Sequence, residues 1–311
     1  MSTVIALKPN SLPADKEEPQ VSSTAVAAAE VAAADKPINT APVVSVEEGI
    51  SATDRAKEIL LKVVPPICGV ALLIGIWGLA TMKGGSIPSP AVVWTEAVKL
   101  FSDPFYSNGP NDQGIGWNVL SSLKRVGIGF GIAALVGIPM GFALGRFEFL
   151  HRMFDPVISL LRPVSPLAWL PIGLLVFQKA DPASTWTIFI CSIWPMILNT
   201  AEGVRRVPQD YLNVARVLNL SEAKVVTKIL FPAVLPYMLT GIRLSIGTAW
   251  LVIVAAEMLT GGVGIGFWVW DEWNNLKVEH IIIAIFVIGI VGLLLEQLLL
   301  AVAKRFSYET R

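Results

Sequence analysis

Few side chains in this sequence are equipped for chemistry, and most of those lie in surroundings that make them costly. Arg162, Arg243, Glu257 and Glu296 each interrupt a long apolar run. In hydrocarbon an ionisable residue must face protein or water, or reach the interface. By default it marks a path for ions or polar solutes. The guanidinium forks of Arg162 and Arg243 suit an oxyanion. A structural role, such as snorkelling or pairing with an acid, accounts for them equally well. Glu257 lies 14 residues beyond Arg243, about four helical turns, which is too far for a direct pair. Asn199 and Thr200, at the end of another apolar run, add an amide and a hydroxyl of equally open purpose. Glu296 reads as a residue satisfied near one membrane face.

Other chemistries are excluded. Cys68 and Cys191 stand far apart in apolar runs, which leaves no disulfide framework and no Cys-based zinc site. His151 and His280 are too few for a cluster, HExxH does not occur, and no nucleophile and base are brought together. No catalytic residue or metal ligand is assigned. The sequence contains no Gly-Lys dipeptide, so a nucleotide-binding P-loop is absent. Lys+Arg and Asp+Glu balance at 24 each, which does not fit a nucleic-acid partner. The run Gly261 to Gly266 resembles a phosphate loop, but it follows an apolar helix instead of a strand. It reads as a flexible hinge between membrane segments. The following FWVWDEWNNL, with Asp271 and Glu272, reads as a short interfacial or re-entrant helix.

The elements that carry these residues are membrane elements. Of 311 residues, 54% are hydrophobic and 15% charged, against about 25% charged in soluble domains. Residues 1–50 are rich in Ala, Val, Pro, Ser and Glu and form a disordered tail, because they cannot bury enough apolar area to order themselves. Residues 51–62 form a short segment before the membrane, and 63–311 the membrane domain. Between Arg125 and Arg146, and again between Asp181 and Glu202, lie 20 residues without a charge. About 20 residues cross a 30 Å hydrocarbon core. Spans are expected at about 63–82, 126–145, 156–178, 182–201, 233–258 and 281–303. With both termini cytoplasmic, the inner loops and termini carry most of the Lys and Arg, as topology prefers. Gly129, Ala133, Gly137, Gly141 and Gly145 recur every fourth residue, a stripe that lets backbones approach closely. Trp77, Trp186, Trp268 and Trp273 suit an interfacial belt.

The loop over 202–232 is too regular to be a connector. Pro208 opens a helix on which Leu212, Ala215 and Leu218 share a face at spacings of three, and Ser221 caps a second amphipathic helix. Two such helices dock onto a partner protein or lie on the membrane surface.

This stretch resembles the coupling loop of binding-protein-dependent ABC importer permeases, whose pattern is EAA-x3-G-x9-I-x-LP. Here it reads Asn213-Val214-Ala215, Asn219, then Ile229-Leu230-Phe231-Pro232. The last Ala, the Ile and the Pro are kept; Asn213, Asn219 and Phe231 depart from the pattern. The resemblance extends over roughly residues 115–305, through SLKRVGIGFGIAALVGIPMGFALG, LLRPVSPLAWLPIGLLVF and PMILNTAEGVRRVPQDYLNVARVL. It points to the branch that imports nitrate, nitrite, bicarbonate, sulfonates and taurine. QDYLNVARVL and VAAEMLTGGVGIGFWVWD are most similar to the nitrate and nitrite permeases and their bicarbonate relatives.

The resemblance implies an all-α polytopic bundle of about six transmembrane helices with a methionine-importer-like permease fold, in a bacterial inner membrane. It implies a second permease copy forming a homodimer, cytoplasmic ABC ATPase subunits that bind MgATP, and a periplasmic or lipid-anchored substrate-binding protein. No cofactor is expected on this chain. Tyr211 to Leu220 would be the coupling helix, with Tyr211, Leu212, Asn213, Ala215, Leu218, Asn219 and Leu220 at the ATPase. Arg205, Arg206 and Arg216 would be its charged contacts, Arg206 being placed equally well for a lipid phosphate. Arg162, Asn199, Arg243 and Glu257 are the candidates for the translocation path. An ion-coupled secondary transporter is the rival reading, which the lack of an internal repeat and of a membrane proton relay disfavours.

Overall fold

The computed structural model describes residues 52–110 and 112–306; the tail expected over 1–50 lies outside the described residues. The chain divides at Pro66. Of the first unit, Met1–Pro66, the described part is helical from Ala52 onward, where the sequence suggested only a short segment before the membrane. The second unit, Ile67–Arg311, holds everything discussed below.

In chain order the helices are α1 (Ala52–Thr81), α2 (Pro90–Ser102), α3 (Ile115–Arg146), α4 (Glu148–Leu161), α5 (Pro166–Phe177) and α6 (Ala180–Arg205). They continue with α7 (Gln209–Val217), α8 (Glu222–Val225), a π-helical turn (Val226–Leu230), α9 (Phe231–Thr260), α10 (Ile265–Asn274) and α11 (Val278–Phe306). Among the described residues, the only β pairing is an isolated bridge between Ser107 and Gln113. Among the described residues, five helices are long and apolar enough to cross a membrane, and up to six if α4 and α5 count as one broken span.

The bundle is organised around α6, which is clasped by α3 and α9. The small-residue stripe of α3 explains the first contact. A Cβ on Gly129 would come within 2.7 Å of the Thr185 carbonyl oxygen, and one on Gly141 within 2.8 Å of that of Ile197. Side chains are therefore excluded where the two backbones meet, which provides dispersion contacts that lipid solvation of separate helices would not. On the opposite side Gly241 of α9 lies against the Pro195 carbonyl and Asn199, and Ser245 donates to the Ser192 carbonyl at 2.6 Å.

Two elements differ from the sequence expectation for physical reasons. The segment 156–178, read as one span, is the pair α4 and α5 bent by 99°. Pro163 lies within the break and supplies no amide hydrogen, and Ser165, the residue before Pro166, leaves helical geometry at φ −56°, ψ 135°. Arg162 is therefore exposed at this corner and does not lie inside a straight span. Trp268, expected in an interfacial belt, faces the interior of the bundle. It is buried in the largest apolar cluster, stacked on His280 with ring centroids 5.8 Å apart, whereas Trp273 is exposed.

The loop connects stiffly to the bundle. From Glu222 to Thr260 the chain is helical without interruption, 39 residues long. Pro232 cannot donate to the preceding turn, and the helix widens there into the π turn, with the Phe231 amide bonding to the Val226 carbonyl.

Candidate functional site

The first site is the α7 corner. Leu212 and Ala215 point inward and join Val204, Val207, Val225, Leu230, Val234 and Met238 in a separate apolar cluster. The helix then ends in a Schellman turn. The Leu220 amide bonds to the Ala215 carbonyl and the Asn219 amide to that of Arg216, both at 3.0 Å, with Asn219 at φ +48°. That left-handed position favours Gly or Asn. Asn219 therefore preserves the geometry where the coupling-loop pattern has Gly.

The turn also corrects one sequence reading. Leu218, expected on the inward face with Leu212 and Ala215, is the capping residue and points outward; Leu220, carried back by the reversal, takes the inward place. The outward face holds Tyr211 (56% exposed), Val214 (56%), Val217 (81%) and Leu218 (63%), with Asn213 and Arg216 exposed beside them. Four large apolar side chains facing outward on so short a segment form a contiguous exposed apolar patch.

The neighbouring arginines are partly engaged by their own chain. Arg205 Nη1 lies 2.6 Å from His151 Nε2. Arg206 Nε donates to Glu202 at 2.7 Å, and its guanidinium sits 5.6 Å from the Tyr237 ring centre. The hydrogen bond to Glu202, and then that to Tyr237, raise the Arg206 pKa above its ordinary value. Arg146 meets Glu222 at 3.3 Å and ties α3 to α8.

The second site lies at the opposite end of α3. Glu257, 1% exposed, accepts from Arg125 Nη1 at 2.6 Å, from the Gly266 amide at 3.0 Å, and from the Ser122 hydroxyl, shared between its two oxygens at 2.9 and 2.8 Å. The Gly264 and Ile265 amides bond to Asn118 Oδ1 and Ser122 Oγ at 2.9 and 3.0 Å. The glycine run is thus a pinned corner and not the flexible hinge its sequence suggested. One amide at the start of α10, that of Gly266, does receive a carboxylate, supplied by the chain's own Glu257. A Cβ on Gly264 would fall 2.3 Å from the Glu257 carboxyl carbon, and one on Gly266 would fall 2.1 Å from the Val254 carbonyl oxygen. Arg125 also donates to Asp181 and to the Val263 carbonyl, joining α3, α6 and the corner.

The sequence reading missed Asn118, Ser122 and Arg125. Their signal was present: positions i, i+4 and i+7 put three polar side chains on one face of an apolar helix. Arg125 also stands at the charge boundary of the apolar run 126–145, where it reads as a span end.

Arg243 does find an acid, but on another helix. Its Nε donates to Glu296 Oε1 at 2.9 Å and its Nη2 donates to the same oxygen. Glu296 is therefore a partner across α9 and α11, and it was not among the candidate pathway residues. The side chains are 51% and 45% exposed. Asn199 is half-buried where α6 meets Gly241, its amide donating to the Pro195 carbonyl at 2.8 Å. Arg162, Asn199, Arg243 and Glu257 are not brought together; they occupy four separate places. What the assembled groups offer is docking and ion pairing. Among the described residues, no group of His, Cys, Asp or Glu is arranged to hold a metal ion.

Comparison with known proteins bears on both sites. Residues 133–308 match the family described as binding-protein-dependent transport system inner membrane component. The chain is 47% identical over 237 residues to the nitrate import permease protein NrtB of Synechocystis, covering 76% of this chain and 86% of that protein. It is 45% identical over 239 residues to the bicarbonate transport system permease protein CmpB of Synechocystis, covering 76% and 85%. Among solved structures, an inward-facing MetNI methionine ABC transporter is similar with a TM-score of 0.51 and 13% identity, covering 61% of this chain and 94% of that one. This last likeness is one of fold.

Proposed function

The chain belongs to the family of binding-protein-dependent transport system inner membrane components, and we propose that it is the permease subunit of an ABC importer that carries nitrate into the cell. The observation that carries this reading is the outward face of α7. Tyr211, Val214, Val217 and Leu218 are held by a buried inner face and a Schellman turn, and the helix that follows the turn, from Glu222, runs without a break into a membrane span. Motion imposed on this face by a partner would pass as rigid-body movement into α9.

In this reading the protein is multi-pass in a bacterial inner membrane, with both termini and the loop 202–232 cytoplasmic. Two copies form the pore. Each α7 sits in a groove of an ATPase subunit that binds MgATP, and a periplasmic or lipid-anchored binding protein delivers the anion. The chain itself performs no chemistry. The identity to a nitrate permease over most of both chains supports nitrate. Bicarbonate is the second reading, favoured by an identity only slightly lower.

The test is co-purification in mild detergent. ATPase subunits should accompany the wild-type chain and be lost from a Val217→Asp variant that still inserts in the membrane. Full ATPase recovery with that variant would remove the coupling surface from the account. Competition for uptake among nitrate, nitrite, bicarbonate and taurine then identifies the substrate.

A further inference from the structure

We propose that the groove beside Arg243 and Glu296 is an oxyanion-binding site on the translocation path, in which Glu296 is the carboxylate that the transported anion displaces. This rests on the importer reading above and adds to it a place within the membrane where the anion is held.

Depth is the first argument. Arg243 lies 10 residues inside the span expected from 233, and Glu296 lies 7 residues from the Ala303 end of the apolar span of α11. At a rise of 1.5 Å these are about 15 and about 10 Å, both within a hydrocarbon core about 30 Å thick. Both side chains are nevertheless about half exposed, in a groove of about 490 Å³. Lipid tails do not solvate such a pair, so water or protein must cover it.

The second argument is geometry. Glu296 takes two donors of the guanidinium, Nε and Nη2, on one oxygen, Oε1. It holds Arg243 from one side and leaves the edge formed by Nη1 and Nη2 for another planar, bidentate acceptor. The trigonal oxygens of nitrate or bicarbonate match that edge. Gly247 lines the groove, where an added Cβ meets nothing within 4 Å, whereas at Gly292 a Cβ would press on the Trp250 ring at 3.1 Å. Thr240 and Thr248 spend their hydroxyl protons on the Pro236 and Leu244 carbonyls, both at 3.0 Å. An anion would be held by the arginine with little further help. Such a weak site suits transport, because the anion must also leave. Glu296 keeps the arginine neutralised between passages and competes for it during them.

The contrast with Arg125 sharpens this choice. Arg125 borders a larger cavity of about 600 Å³ with Lys124 and Asp181, but its guanidinium is already divided among Asp181, Glu257 and the Val263 carbonyl.

The test uses the complete complex, with ATPase and binding-protein subunits, in proteoliposomes. In a Cys68→Ser background, the Gly247→Cys variant should react with a charged thiosulfonate. Nitrate or bicarbonate should slow that reaction at least threefold where gluconate does not, and should fail to slow it when Arg243→Gln is added. No reaction, or a rate indifferent to the anions, overturns the proposal, and does so with the ion pair intact. Uptake provides the second arm. Arg243→Gln should lower transport at least tenfold with the ATPases still bound, and Arg243→Lys should lower it less. The charge-neutral double variant Arg243→Gln with Glu296→Gln should stay inactive. Recovery of uptake in the double variant would make the pair merely structural and overturn the site. If the wild-type complex takes up no oxyanion at all, the importer reading itself fails.

Discussion

Replacing Glu257 by Gln tests whether the buried carboxylate holds the α3, α9 and α10 corner together. The substitution keeps size and shape but turns one acceptor oxygen into an amide donor. Both oxygens are occupied: Oε1 by Arg125 and Oε2 by the Gly266 amide, with the Ser122 hydroxyl shared between them. Whichever way the new amide turns, its NH2 faces another donor. One charge-assisted hydrogen bond is lost, worth about 1.5–3 kcal/mol, and one buried donor is left unpaired, at about 1–3 kcal/mol. Relief from burying a carboxylate offsets part of this, and Arg125 keeps Asp181 as a counter-charge. The net is about 2–4 kcal/mol. At roughly 2–4 °C per kcal/mol for a domain of this size, the detergent-solubilised chain should lose about 5 °C or more in its aggregation midpoint. The assay is size-exclusion chromatography after heating, run beside Asp181→Asn, whose own carboxylate is 72% exposed and should matter little. An unchanged midpoint for Glu257→Gln would refute the claim that this carboxylate organises the corner.

Other substitutions separate the two faces of the loop. Val217→Asp should abolish ATPase co-purification, because it would bury an unpaired charge in the partner's groove; Leu212→Ala should instead loosen the loop, raising its protease sensitivity before association is lost. Asn219→Gly should leave stability and uptake within error, whereas Asn219→Val, β-branched at a positive φ, should destabilise the loop by roughly 1–2 kcal/mol, read as faster proteolysis at 209–220. Gly141→Leu should prevent recovery of monodisperse protein, since its Cβ alone would press on the Ile197 carbonyl and Thr200.

Much of this organisation was legible in the residues. The four-residue stripe from Gly129 to Gly145 announced a helix that must touch another backbone, and the structure supplies α6 as that helix. The loop's inward face was readable from Leu212 and Ala215, but spacing alone could not foresee the left-handed Asn219 that turns Leu218 out and Leu220 in. Charges were the harder part. Arg243 and Glu296 are separated by 53 residues and Arg125 and Glu257 by 132, and nothing local in a sequence links such partners. The break after Leu161 was foreshadowed by Pro163 and Pro166, yet the apolar length of 156–178 alone matches a single span.

In the proposed importer, ATPases docked on the outward face of α7 drive the permease. The direct measurement is uptake of isotopically labelled nitrate into proteoliposomes containing the purified complex, with ATP enclosed and the binding protein outside. The account predicts accumulation that requires both ATP and the binding protein and that disappears with Val217→Asp. Uptake by the chain without ATPase subunits, sustained by an ion gradient alone, would contradict it.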